Sequence, residues 1–322
     1  MSATGRHTPA WCVNVSVCAG LLSAPSSEDV LRTGYNWQTF LDTPPEEHVY
    51  EDSRFVVVPV PYDSTTSFRS GSRYAPAAII DASRHLEDFD VETGIDASQW
   101  GIYTLDEMSP DMSGPKRVVG QVSALIEQVL DDDKMPVLLG GEHTITVGAV
   151  LACADHVEDL SVLYLDAHAD LRESYMGTRW GHASVAMRVS ELCPIVQVGV
   201  RSISSGEYDF AVSRKIPIFY WPPGRDSEAL NADVCGRLSS NVYISIDLDV
   251  ADPSIMSAVG TPEPGGMTWW ELTSLLREVA ARKNVVGFDI VELSPEEGPV
   301  ACSSTAARLA YKIMGYVAAG WK

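Results

Sequence analysis

The sequence predicts an α/β fold in which a parallel sheet is covered by helices on both faces. Short apolar runs recur along the chain and end in Gly-, Asp- or Pro-rich loops. Longer segments of helical character separate them, and no internal repeat or linker breaks the alternation. Strands buried on both faces are apolar throughout, and strand–helix–strand order returns each strand parallel to the last. Strand 54–60 (RFVVVPV) comes first and stops at Pro61. Helices 75–84 and 116–130 follow it, then strand 135–139, which ends in Gly140-Gly141. Helix 146–154 leads to strand 160–165, which runs into Asp166. Strand 195–200 and helices 207–214 and 227–238 precede strand 242–246, which runs into Asp247. Helix 269–281, strand 285–290 and helix 304–317 complete the series. Residues 1–35, rich in Ser, Thr and Ala, are expected to be an extension with little structure of its own. Residues 36–322 are expected to form a single domain.

The balance of 23 Lys+Arg against 44 Asp+Glu gives a formal charge of −21. Such a chain is not built to neutralise phosphates, so nucleic acid is excluded as a partner. The charge suits attraction of small cations, although most of it also serves as a solvated acidic surface. No apolar run reaches the length of a membrane span. The six cysteines are scattered without a CxxC pair, the pattern of buried thiols rather than a disulfide framework. Segment 10–24 is mildly apolar after Arg6 and His7, but Asn14 and Ser16 interrupt it. A cytoplasmic location is therefore the expectation.

In open parallel sheets ligands sit beyond the carboxyl ends of the strands, and the polar clusters of this chain fall there. Asp166-Ala-His168-Ala-Asp170 directly follows SVLYL. If the extended backbone continues, positions 166, 168 and 170 point to one side. Burying that much charge would cost several kcal/mol per ion, which a metal cation would offset. Asp247-Leu-Asp249 repeats the arrangement after strand 242–246. Gly140-Gly141-Glu142-His143 places an imidazole at the rim after strand 135–139, with Glu142 at a helix start or behind the ligands. Two histidines and four aspartates exceed one tetrahedral site and are too oxygen-rich for structural zinc. The mixture suits Mn²⁺ or a similar ion, and a pair of such ions would activate water for hydrolysis. No dinucleotide-binding GxGxxG and no P-loop accompany these clusters.

The set GGEHTIT, DAHADLRE, SIDLDVADPS, GTPEPGG and DIVELSP resembles the ureohydrolase family of arginases, agmatinases and relatives. The resemblance runs from about Asn36 to the C-terminus, and PYDSTTSFRSGSRYAPAAII adds to its agmatinase side. It implies a three-layer α/β/α sandwich on a mostly parallel sheet of about eight strands. It also implies two Mn²⁺ per subunit and a homo-oligomer, a trimer or a hexamer. His143, Asp166, Asp170 and Asp247 would hold one metal, and His168, Asp166, Asp247 and Asp249 the other. Water activated by the pair would attack a guanidinium carbon, and Asp170 would relay a proton to the leaving amine. Glu292 corresponds to the carboxylate that receives the guanidinium, and His182 to the histidine that shuttles protons or contacts the leaving group.

The small cationic substrate implied is agmatine. The arginase branch carries Ser-Gly-Asn ahead of its shuttle histidine, whereas this chain has Thr178-Arg179-Trp180-Gly181. Arg172 and Arg179 are expected in the loop at the pocket mouth. A terminal carboxylate would suit them, which keeps guanidinobutyrate, guanidinopropionate and formimidoylglutamate as alternatives beside free guanidine and arginine. Because all the ligand positions are filled, neither a non-catalytic relative nor a single-zinc deacetylase matches as well.

Overall fold

The computed structural model describes Met1 and residues 38–44, 49–224 and 226–321. The expected extension over 1–35 lies outside the described residues, Met1 excepted. The apolar run Phe55–Val60 forms β1, buried at every position. After it come helix α1 (Ala75–Ser83), a small antiparallel hairpin of β2 (Phe89–Asp90) and β3 (Ile95–Asp96), and β4 (Ile102–Thr104). Helix α2 (Pro115–Asp131) leads to β5 (Met135–Gly140), and α3 (Thr146–His156) to β6 (Leu160–Leu165). Then follow α4 (Val185–Val189), β7 (Ile195–Val198), α5 (Ser205–Arg214) and β8 (Ile218–Phe219). The described chain closes with α6 (Ser227–Arg237), β9 (Asn241–Asp247), α7 (Trp269–Arg282), β10 (Asn284–Val291) and α8 (Ala301–Ala319).

The main sheet has eight strands in the order β4-β1-β5-β10-β9-β6-β7-β8. Every neighbouring pair within it is parallel. Successive side chains of a strand point to opposite faces, and two separate apolar layers result. Val57, Leu139, Leu163, Ile244 and Phe288 pack with Ile79 of α1, Leu230 of α6, Leu275 of α7 and Leu309 of α8. Val56, Leu138, Val162 and Tyr243 pack on the other side with Val122 of α2, Val150 of α3 and Val185 of α4. This is the α/β/α sandwich that the sequence predicts. Trp37–Lys322 forms one compact unit. Among the described residues no helix is long and apolar enough to cross a membrane.

The edge strands β4 and β8, the β2–β3 hairpin and α4 are not anticipated by the sequence. Each is too short to establish a period of its own. Strand 195–200 is shorter than expected, ending at Val198. Gly199 turns it away with φ +102°, where a Cβ would stand 2.5 Å from Val250 and 3.0 Å from the Asp166 carbonyl.

One buried ion pair ties the hairpin to α8. Lys312 Nζ lies 2.7 Å from both Asp90 Oδ2 and Glu92 Oε2. Burial pulls the Asp90 carboxyl upward, but Lys312 and the N–H groups of Glu92 and Thr93 outweigh it and hold the carboxyl below its usual value. Removing one partner of such a pair leaves an uncompensated charge, at a cost of about 3–5 kcal/mol. Lys312→Met is therefore expected to lower unfolding free energy by an amount in that range at neutral pH. A group with a depressed folded pKa stabilises above its unfolded value, about 3.9, and stops doing so as pH falls through the folded one. The deficit of the variant should accordingly shrink in acid. Urea unfolding at descending pH checks this, and a deficit independent of pH would contradict the assignment to Asp90.

Candidate metal centre

Four adjacent strands, β5, β10, β9 and β6, deliver their carboxyl ends to one place. After β5 the chain passes Tyr62 so closely that a Cβ on Gly141 would lie 2.0 Å from the Tyr62 carbonyl oxygen. Only glycine fits there. The next turn presents His143, fully buried, just ahead of α3. The sequence expects the chain to stay extended after β6; it bends at Ala167, and His168 is bridged to Ser202. Asp170 departs from that expectation, since its φ is +50°. A left-handed residue, rather than strand alternation, turns its carboxylate inward. After β9, Leu248–Val250 form a single 3₁₀ turn, so Asp249 also arrives by a turn rather than along an extended strand. Oδ1 of Asp247 accepts from Asp249 N at 2.9 Å, and Asp249 Oδ1 accepts from Ala167 N at 3.0 Å.

The six clustered residues meet. His143 Nδ1 is 3.3 Å from Asp166 Oδ2, 3.3 Å from Asp247 Oδ2 and 3.8 Å from Asp170 Oδ2. His168 Nδ1 is 2.9 Å from Asp249 Oδ2 and 3.5 Å from Asp166 Oδ1. Donor atoms of His143, Asp166 and Asp170 all lie within 4.8 Å of one another, and so do those of Asp166, His168 and Asp249. Asp166 belongs to both groups.

Burial and neighbouring carboxylates push the carboxyls of Asp170, Asp247 and Asp249 upward. Asp166 moves the other way, because His143 and His168 outweigh its burial. Its Oδ2 is buried and finds no hydrogen-bond donor among the described residues. Crowded carboxylates, an orphaned oxygen and imidazole nitrogens turned toward them make a donor set that fits divalent cations.

The groups behind His143 support the same arrangement. His143 Nε2 lies 2.8 Å from Ser245 Oγ, which donates to Asp289 Oδ1 at 2.8 Å. Thr146 Oγ1 and Tyr243 OH donate to Asp289 Oδ2 at 2.8 and 2.9 Å. With the serine proton committed to Asp289, Nε2 carries a ring proton, and Nδ1 is the nitrogen that faces the carboxylates and would ligate a bound cation. Tyr164 stacks on the imidazole with ring centroids 4.6 Å apart, and its hydroxyl donates to Asp170 Oδ2 at 2.9 Å. Sequence reasoning missed Ser245, Asp289 and Tyr164. The available signal was a polar group inside an otherwise apolar strand.

Glu292 follows β10 with φ +66° and is buried. Its Oε1 accepts from His143 N at 2.7 Å, and burial and Glu142 push its carboxyl up to about 8. His182 opens a short turn before α4. Its Nε2 is buried without a hydrogen-bond partner among the described residues, and burial with the nearby His143 and His168 lowers the ring to about 4. A cavity of about 290 Å³ opens on the cluster, walled in part by His168, Asp170, Arg172, His182, Glu207 and Asp247. Glu292 is not on this wall.

The two arginines expected at the mouth separate. Arg172 borders the cavity, 3.8 Å from Glu207 and over the Tyr175 ring. Arg179 does not border it; it pairs with Glu173 at 2.6 Å and Glu191 at 3.7 Å. The acids that draw it aside are Glu173, in the bend before it, and Glu191, in the turn just past α4.

A parallel sheet covered on both faces, with an imidazole–carboxylate cluster at its central strand ends, defines the class of the arginase-fold hydrolases. Residues 53–316 match the Arginase family. The N(1)-aminopropylagmatine ureohydrolase of Thermus thermophilus (strain ATCC 27634) is 39% identical over 87% of this chain and 94% of its own. That of Synechocystis is 37% identical over 83% of this chain and 90% of its own. The crystal structure of agmatine ureohydrolase of Thermoplasma volcanium has a TM-score of 0.82 at 34% identity, covering 91% of this chain and 98% of that one. The chain belongs to the Arginase family, a family of binuclear metal enzymes, and is a ureohydrolase acting on guanidino C–N bonds.

Proposed function

We propose that this enzyme releases urea from agmatine, with two Mn²⁺ held by the clustered side chains. The observation that carries this reading is the imidazole–carboxylate cluster opening directly on the 290 Å³ cavity. His143, Asp166, Asp170 and Asp247 would hold one ion, and His168, Asp166, Asp247 and Asp249 the other. Bound there, the pair supplies water acidified toward neutrality and positive charge opposite the carboxylates. Glu292 is assigned the guanidinium, a natural partner for a carboxylate, by the motif resemblance alone, since it lies off this cavity wall and its Oε1 already accepts from His143 N. Asp170, steadied by the Tyr164 hydroxyl, relays a proton to the leaving amine. His182 borders the cavity and is assigned the leaving group or its proton.

N(1)-aminopropylagmatine is the second reading, favoured by relatives of that name at 37% and 39% identity. Both substrates keep a cationic tail, consistent with a chain of charge −21. Residues 36–322 would act as one catalytic domain, as a cytoplasmic homo-oligomer, a trimer or hexamer, in line with the motif resemblance.

The test is urea release by manganese-loaded protein from agmatine, N(1)-aminopropylagmatine, arginine, guanidinobutyrate, guanidinopropionate and guanidine, with formamide release from formimidoylglutamate. Amine-tailed substrates are expected to exceed carboxylate-tailed ones by about tenfold or more in kcat/KM, the equivalent of about 1.4 kcal/mol. A carboxylate-tailed substrate in first place would overturn the agmatine reading and direct attention to Arg172 on the cavity wall.

A further inference from the structure

Thr65 joins three segments that are far apart in the chain. It lies on the loop after β1, which Asp63 closes at its other end. Asp63 accepts from Gly71 N at 2.8 Å and from Arg73 N at 3.2 Å, and pairs with the Arg73 guanidinium. Glu142, fully buried, embraces Thr65 with both oxygens. Its Oε2 accepts from Thr65 N and its Oε1 from Thr65 Oγ1, each at 2.6 Å. Hydrogen bonds to a carboxylate are short and strong, so these set the threonine rotamer. A hydroxyl has one proton; once it is given to Glu142, the oxygen can only accept. It accepts from the backbone N–H of His182, at 3.0 Å, and at a longer 3.4 Å from the Thr144 hydroxyl. The loop carrying His182 also packs tightly here, since a Cβ on Gly181 would lie 3.1 Å from Thr65 Oγ1.

We infer that Thr65, clamped by Glu142, is the positioning residue that holds His182 at the cavity. The inference rests on the role proposed above for His182. The hydroxyl anchors the His182 main chain, and the imidazole Nε2, which is buried, has no hydrogen-bond partner of its own among the described residues. Neither Thr65 nor Glu142 belongs to the groups that could hold metal. Loosening the anchor therefore displaces the imidazole and leaves the metal ligands in place.

Thr65→Val keeps the side-chain shape and removes the hydroxyl. It is expected to lower kcat by about 10²-fold, the effect of an ångström-scale misplacement of a reacting group. KM and metal content should change little. Thr65→Ser, which restores the hydroxyl, should recover most of the rate. The double variant T65V/H182F should be no slower than H182F, because both changes disable the same imidazole. A wild-type kcat for T65V would overturn the inference, as would a double variant slower than H182F by the full T65V factor. If T65V does not fold, Thr65→Ala serves, and a wild-type rate there overturns the inference equally. H182F itself separates the two levels. A slow H182F beside a normal T65V sinks only the positioning role, whereas a fully active H182F sinks the reading of His182 and this inference with it.

Discussion

Asp166→Ala and Asp247→Ala are each expected to abolish urea release and to leave fewer than two ions per chain. Asp166 contributes to both groups of donor atoms, and the Asp247 carboxylate stands 3.3 Å from His143 Nδ1 on the cavity wall. Removing a carboxylate shared between two cations weakens both sites at once, whereas removing a terminal ligand weakens one. Water acidified by a divalent cation drops from a pKa of 15.7 toward about 7, so losing the ions removes the nucleophile at neutral pH. Metal analysis of dialysed protein and a urea assay measure the two effects together. Thermal unfolding supplies an independent readout. A cation present at about 100 times its dissociation constant stabilises the folded state by about 2.7 kcal/mol. The wild type should therefore gain in Tm on addition of manganese, and either variant should gain much less. A variant that keeps two ions per chain and full activity would show that the carboxylate it lacks is not shared.

His182→Phe is expected to keep both ions and lose most of the rate. Its nitrogen belongs to neither donor group, so metal content should match the wild type. Positioned proton transfer contributes about 10²–10⁴-fold to a reaction of this kind, and kcat should fall within that range. Phenylalanine fills the same space in the cavity wall without a nitrogen, so KM should move less than kcat. Steady-state kinetics on agmatine decide the point. A near-normal kcat would remove His182 from proton transfer, and a loss of metal would give the ring a structural task instead.

The strands were legible because burial on both faces writes an unbroken apolar run. Leu160–Leu165 coincides with the expected strand at both ends, and β1, β5, β9 and β10 differ from their expected spans by a residue or so. The edge strands were not legible. Ile218–Phe219 pairs through its backbone with β7, and two residues carry no period. The clusters 166–170 and 247–249 were visible because their members are neighbours in the chain. Their meeting was anticipated, but the means was not, since Asp170 and Asp249 reach the site through turns.

What the sequence by itself determined is the sheet-and-helix class, the clustered acids and imidazoles at strand ends, and hence a hydrolytic metal chemistry. These are consequences of local pattern: hydrophobic period, tight glycine turns and like charges too close to remain unpaired. What only the tertiary structure decided is how those groups are held. Ser245 and His143 are 102 positions apart, Glu292 and His143 149, Thr65 and Glu142 77, and His182 and Thr65 117. Arg172 and Arg179 sit seven positions apart, yet one borders the cavity and the other is drawn away by Glu173 and Glu191. Hydrogen bonds over such separations depend on which strands lie side by side, and no local period encodes that order.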